Sequence, residues 1–214
     1  MRSLRGQARQ LIEPATPLHT KTRALAVVAM LGGSAICSFG AAALMPESYS
    51  WTSNVISESA AQGVEGAWFA RLGFVLFGLA VLCLASAARA EWAKGAYWCH
   101  IAFGVFMVGT AAFSHRPWLP DTSFDAFEDF LHSVTATGMG FAFSFALVFG
   151  IIRRARNVES GKGFDVVAIA AAVVLPVIGG ETPANAGWTQ RLLFAIAYAW
   201  YLRETIGLMR SNAR

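Results

Sequence analysis

The side chains with the greatest chemical potential in this sequence are His132, Asp129 and Glu58. An imidazole that titrates near neutrality, with a carboxylate to orient it, is a general acid–base pair. Asp129 and His132 are spaced i to i+3, so both stand on one face of one helix. Arg71 and Arg191 each lie three or four residues inside the end of an apolar stretch. Arginine at that depth is costly unless it is paired or can reach the headgroups. Two such guanidinium forks are also a receptor for phosphate or carboxylate. Gln190, Ser57 and Asn54 supply further hydrogen-bonding groups on the same side, and Glu181 stands in the third loop of that side.

Each of these residues also has a plainer role. Asp129 is expected as the N-cap of its helix, taking free backbone amides. His132 has an equal alternative in donating to a carbonyl or to Glu128, four residues before it. Arg71 and Arg191 have the alternative of ion pairs with Glu58, Asp129 or Glu181. For a metal, His115 and His132 share a level, and Asp129 or Glu58 completes a three-ligand composition that zinc would accept. Metal binding needs more ligands than the sequence offers cleanly, since His100 lies near the other face and cannot join them, and no His-x-x-x-His pair occurs. The missing pair also removes the resemblance to alkaline ceramidase-like hydrolases, which combine serine, aspartate and three histidines. Haem is not expected, since one of the two histidines at this level lies in a loop, and neither is a nucleotide. Ser133 is adjacent to His132, so the two side chains diverge by about 100° and make no catalytic pair. His100 stands alone inside an apolar stretch with no acid at its depth, and is expected as a neutral, hydrogen-bonded histidine.

What must position these residues is a set of six apolar runs: Ala24 to Met45, Ala67 to Ala90, Ala96 to Ser114, Phe130 to Ile152, Phe164 to Gly180 and Trp188 to Met209. Most reach the ~20 residues that a helix needs to cross about 30 Å of hydrocarbon. The expected fold is all-α, a polytopic bundle of six transmembrane helices. Residues 1–23 form an N-terminal arm interrupted by Pro14 and Pro17, residues 24–209 the membrane domain, and residues 210–214 a tail. A cleaved signal peptide is disfavoured, because the first apolar run exceeds ~7 to 15 residues and a long polar segment precedes it. Pro176 predicts a kink near the end of the fifth helix. Small residues repeat every four positions at Ala29, Gly33, Cys37 and Ala41, and again at Ala136, Gly140 and Ser144. Such faces let helices approach closely, within the chain or across a dimer. Cys37, Cys83 and Cys99 all lie inside apolar runs and suggest neither disulfide nor metal site.

Charge sorts by side. The termini with the second and fourth loops carry 14 of the 17 basic residues and five acids, a net +9. The first, third and fifth loops, with the adjoining helix ends, carry three basic residues and eight acids, a net −5. Lys and Arg in short loops stay inside, so both termini are expected in the cytoplasm and the protein in the cell membrane. The overall +4 averages two unlike surfaces and gives no argument for nucleic acid. Trp51, Trp68, Trp118 and Trp188 fall near one interface and Trp92 and Trp98 near the other, whereas Trp200 lies deeper.

Three stretches carry a resemblance: AAQGVEGAWFARLGFVLFGLA from Ala60, FEDFLHSVTATGMGFAF around His132, and NAGWTQRLLFAIAYAWYL in the last helix. Together with Ser57-Glu58 and Gly187-Trp188-Thr189-Gln190-Arg191, they resemble the multi-pass prokaryotic membrane proteins of the domain of unknown function 998 family. The acid- and proline-containing segment Pro117 to Asp129 matches that family in composition. The resemblance spans about Leu25 to Leu208 and implies a six-helix membrane fold without an assigned reaction. On the residues themselves, the leading expectation is a polar pocket at the outer leaflet that binds a lipid headgroup or amphiphilic anion. The second is an intramembrane hydrolase or transferase using His132 with Asp129 or Glu58. The third is an accessory subunit, or a homodimer, docking through its small-residue faces. Active transport is disfavoured, because the middle thirds of the helices offer few polar groups.

Overall fold

A computed structural model describes residues 17–157 and 162–211. Among them there is no strand, and six helices are long and apolar enough to cross a membrane. They are α1 (Pro17–Gly40), α2 (Ala67–Ala87), α3 (Lys94–Ala112), α4 (Ala126–Arg156), α5 (Lys162–Glu181) and α6 (Ala186–Ser211). Short 3₁₀ turns follow α1 at Ala41–Leu44, interrupt the first long loop at Glu58–Ala60, and precede α6 at Pro183–Asn185.

Local chemistry sets several boundaries. Proline fits the first turn of a helix, where its missing N–H has no partner to lose. Pro17 accordingly opens α1, and residues 17–23 of the expected arm are helical; residues 1–16 lie outside the described residues. Gly66 precedes α2 with φ +80°, a conformation that costs glycine little. The start of α4 corrects the sequence reading. Asp125, not Asp129, is the N-cap, accepting from the amides of Phe127 at 2.8 Å and Glu128 at 3.1 Å. The helix therefore begins four residues before the expected Phe130 and holds Asp129 in its first turn. α5 runs unbroken through Pro176 to Glu181.

The helices pack in chain order, and α6 returns to α1 to close the ring. Small residues make the tightest crossings. A Cβ added at Gly78 of α2 would stand 2.8 Å from the carbonyl oxygen of Gly104 in α3, so the two backbones touch there. At Gly73 an added Cβ would meet Ser38 Oγ at 2.6 Å and Cys37 Cβ at 3.1 Å, which puts the small-residue face of α1 against α2. Ser34 seals that contact by donating to the Gly73 carbonyl at 2.6 Å. In α4, by contrast, nothing stands within 4 Å of a Cβ at Gly140.

The core is aromatic. Phe77 of α2 stacks on Tyr198 at 4.3 Å between ring centres and meets Phe103 and Tyr201 edge-on. Outward-facing Phe141, Phe145 and Phe149 on α4 and Val166, Val173 and Val177 on α5 are exposed. That apolar exterior is what hydrocarbon requires of a spanning bundle, and the protein reads as a multi-pass integral membrane protein. Successive helices alternate in direction. The loops after α1, α3 and α5 thus gather at one end, here the acidic end, and those after α2 and α4 at the other, the basic end.

Candidate functional site

At the acidic end, residues 45–66 form a folded strap over the ends of α2 and α6. Arg191, only 1% exposed, is its anchor. One of its terminal nitrogens donates to the carbonyls of Trp51 and Asn54 at 2.7 Å each and of Gly187 at 3.1 Å, and the other to the Tyr49 hydroxyl at 2.7 Å. Its guanidinium carbon lies 4.7 Å from the centre of the Trp51 ring. A side chain on Gly187 would collide with the Asn54 carbonyl, so only glycine lets the strap lie this close to α6. Gln190 accepts from the Ile56 amide at 2.6 Å, and Trp188 donates its amide to Thr52 at 2.9 Å. Within the strap, Glu58 accepts from the Val55 amide at 2.7 Å and from the Asn54 side chain at 3.1 Å. Asn54 in turn accepts from the Ser50 amide at 2.7 Å. Arg71 donates to the carbonyls of Ala60 and Ala61 at 3.0 Å each. Ser57 is buried beside Glu58 without capping its turn.

Arg71 and Arg191 thus donate to main-chain carbonyls. Among the described residues neither forms an ion pair with Glu58, Asp129 or Glu181, the acids expected to neutralise them. Carbonyl cages offer a guanidinium several acceptors without the desolvation of a carboxylate, which suits a residue this deep. Burial pushes the Tyr49 hydroxyl above the ordinary tyrosine range, while the adjacent Arg191 pulls the other way.

His132 and Asp129 serve a second assembly. Three side chains in the first two turns of α4 clasp the segment after α3. Glu128 accepts from the Ser114 amide at 2.7 Å, Asp129 from the Arg116 amide at 2.8 Å, and His132 Nδ1 donates to the Phe113 carbonyl at 2.8 Å. His115 is held between those contacts, its ring centre 5.2 Å from that of His132. Gln62, absent from the sequence-based candidates, ties strap to clasp. It accepts from the Asp125 amide at 2.7 Å and donates to the carbonyls of Ser114 and Asp125 at 3.0 Å each. Glu58 is engaged within the strap, and Asp129 and His132 on the clasp. Among the described residues no group of three or more His, Cys, Asp and Glu could hold a metal ion, so the three-ligand zinc composition expected from His115, His132 and an acid is not assembled.

The basic end holds what sequence reasoning missed. Asp165, 1% exposed at the start of α5, accepts from Arg154 at 2.8 Å, from the Trp200 indole at 2.8 Å and from Arg203. Glu204 accepts from Arg154 at 2.6 Å, Arg203 at 2.9 Å and the Trp92 indole at 3.3 Å. Two arginines and two carboxylates thus neutralise one another across α4, α5 and α6. Beside them a narrow, half-open cleft between α3, α4 and α6 leaves about 10 Å³ of free space, room for roughly one water. Arg153 and Arg154 line it, with indole walls from Trp92 and Trp200. His100 also lines it, its ring centre 4.2 Å from that of Trp92 and 5.0 Å from that of Trp200, and its Nδ1 3.0 Å from the Tyr201 hydroxyl. The expectation of a hydrogen-bonded His100 agrees with that contact. Glu204 lines the same cleft. A charged pair at i, i+1 such as Arg203-Glu204 signals only a solvated helix end, so the sequence did not mark this network.

A family model described as a protein of unknown function, DUF998, matches residues 23–203. No curated protein and no solved structure matches the chain.

Proposed function

The chain belongs to the DUF998 family, which supplies no reaction to inherit, and we propose from its geometry that it binds an amphiphile with an anionic head. The observation that carries this reading is the basic-end cleft, which is lined by two arginines, two indoles and the small apolar residues Ala96 and Ala146. Arginine and tryptophan are the pairing that suits a phosphate or carboxylate at a bilayer surface. The free space of the cleft is about that of one water, so an anionic oxygen would enter it while the rest of the head lies outside and the chains stay in lipid. Arg154 is neutralised by Asp165 and Glu204, and Arg153, which also lines the cleft, donates to the Glu91 carbonyl.

The acidic-end pocket expected from Arg71 and Arg191, with Gln190, Ser57 and Asn54, is the competing location for the same ligand. Native mass spectrometry of protein in nanodiscs holding phosphatidylglycerol and phosphatidylcholine separates the two. Arg153→Gln is expected to lose most of the retained phosphatidylglycerol, with Arg116→Gln at the acidic end unchanged. Loss in Arg71→Gln instead would move the site to the acidic end, and equal retention in all variants would reject an anion site in either place.

A second reading, a hydrolase or transferase working through His132, is favoured by one atom. His132 is 2% exposed, and its Nε2 has no hydrogen-bond partner. Because a carbonyl only accepts, Nδ1 carries the proton and Nε2 the lone pair of the neutral ring, the form of a general base. Headgroup release from a panel of ester and phosphoester lipids, present in wild type and absent in His132→Gln, would establish it. The orientation that places the basic end in the cytoplasm and the protein in the cell membrane belongs to the proposal and rests on the charge asymmetry alone.

A further inference from the structure

We infer that His115 and His132 form a two-imidazole site for a first-row divalent metal ion at the acidic end. Both rings spend Nδ1 on a backbone carbonyl: His132 on Phe113 at 2.8 Å and His115 on Arg116 at 2.6 Å. In each neutral ring that leaves Nε2 as the nitrogen with a lone pair. An Nδ1–H bonded to a carbonyl is also the usual support of a metal-binding histidine, because it fixes the tautomer and the plane of the ring. His132 Nε2 is buried with no partner, an arrangement that costs free energy unless something fills it.

The spacing fits. Two imidazoles sharing one tetrahedral ion at about 2.0 Å have ring centres about 5 Å apart, and these stand at 5.2 Å. The clasp made by Glu128 and Asp129 on the Ser114 and Arg116 amides holds His115 in place before any ion arrives. Two protein ligands leave the remaining positions to water or to an oxygen of a bound molecule. Imidazole donors suit zinc and copper.

The probes are Zn²⁺ and Cu²⁺ alone, titrated into the detergent-solubilised full chain. One ion per chain is expected, with nitrogen couplings from two imidazoles in the Cu²⁺ electron paramagnetic resonance spectrum. His115→Gln, which leaves the His132 contact to Phe113 untouched, should weaken binding by roughly tenfold or more and remove one set of couplings. His19→Gln should change neither. No binding to wild type, couplings from fewer than two imidazoles, or unchanged affinity in His115→Gln would overturn the site and leave edge-to-face ring packing as the whole relation between the two histidines.

Discussion

Arg191 organises the strap through a single guanidinium. Its guanidinium holds the carbonyls of Trp51, Asn54 and Gly187, and removing it strands them in a site nearly closed to water. Arg191→Gln is expected to lower stability by about 3 kcal/mol, seen as a lower midpoint of thermal unfolding in detergent and faster proteolysis within residues 45–66. Arg191→Lys should lose nearly as much, since a single ammonium cannot reproduce the fork. Tyr49 gives a pH prediction. Its hydroxyl ionises above the ordinary range of about 10 because burial disfavours the phenolate. The protonated form therefore contributes stability that is fully present below the unfolded-state value and is lost as pH rises through the folded one. Difference absorbance of phenolate, wild type against Tyr49→Phe, should show one tyrosine titrating late and the strap loosening with it.

Elements meet through the smallest residues and through buried charge. Gly78→Ala puts a methyl group against the Gly104 carbonyl, and separating α2 from α3 should cost about 1–3 kcal/mol. Gly140→Ala, where nothing lies within 4 Å, should leave the same unfolding midpoint unchanged. At the other end Asp165 joins α5 to α4 and α6 through Arg154, Arg203 and Trp200. Asp165→Ala leaves two arginines sharing Glu204, and a loss of about 3–5 kcal/mol is expected. That loss should appear as early release of α5, since α5 buries little apolar surface of its own in the bundle.

For the whole molecule, the ring of six helices separates a −5 end from a +9 end. If the basic end is cytoplasmic, Ser48→Cys should react with a membrane-impermeant maleimide in intact cells, and Ala90→Cys only after the membrane is opened. The reverse pattern would invert the topology. The exposed valines of α5 and phenylalanines of α4 face lipid in a monomer. A homodimer or partner complex through α4, the remaining expectation from Ala136, Gly140 and Ser144, predicts an intermolecular disulfide crosslink at Gly140→Cys. The monomer predicts none.

The six spans, the segregation of charge, the family and the polar residues at each end are all legible along the chain. Hydropathy and charge are properties of contiguous residues, so they can be read along the chain. What each polar group faces was decided by tertiary structure alone. Arg191 meets the Trp51 carbonyl across 140 positions, and Trp200 meets Asp165 across 35. His115 and His132 could be placed at one level from the sequence, but the direction of their nitrogens depends on carbonyls that only the folded loop supplies. The Asp165 network was unreadable for the same reason. Four charges that look like ordinary helix ends along the chain become a neutral cluster once α4, α5 and α6 bring them within hydrogen-bond reach.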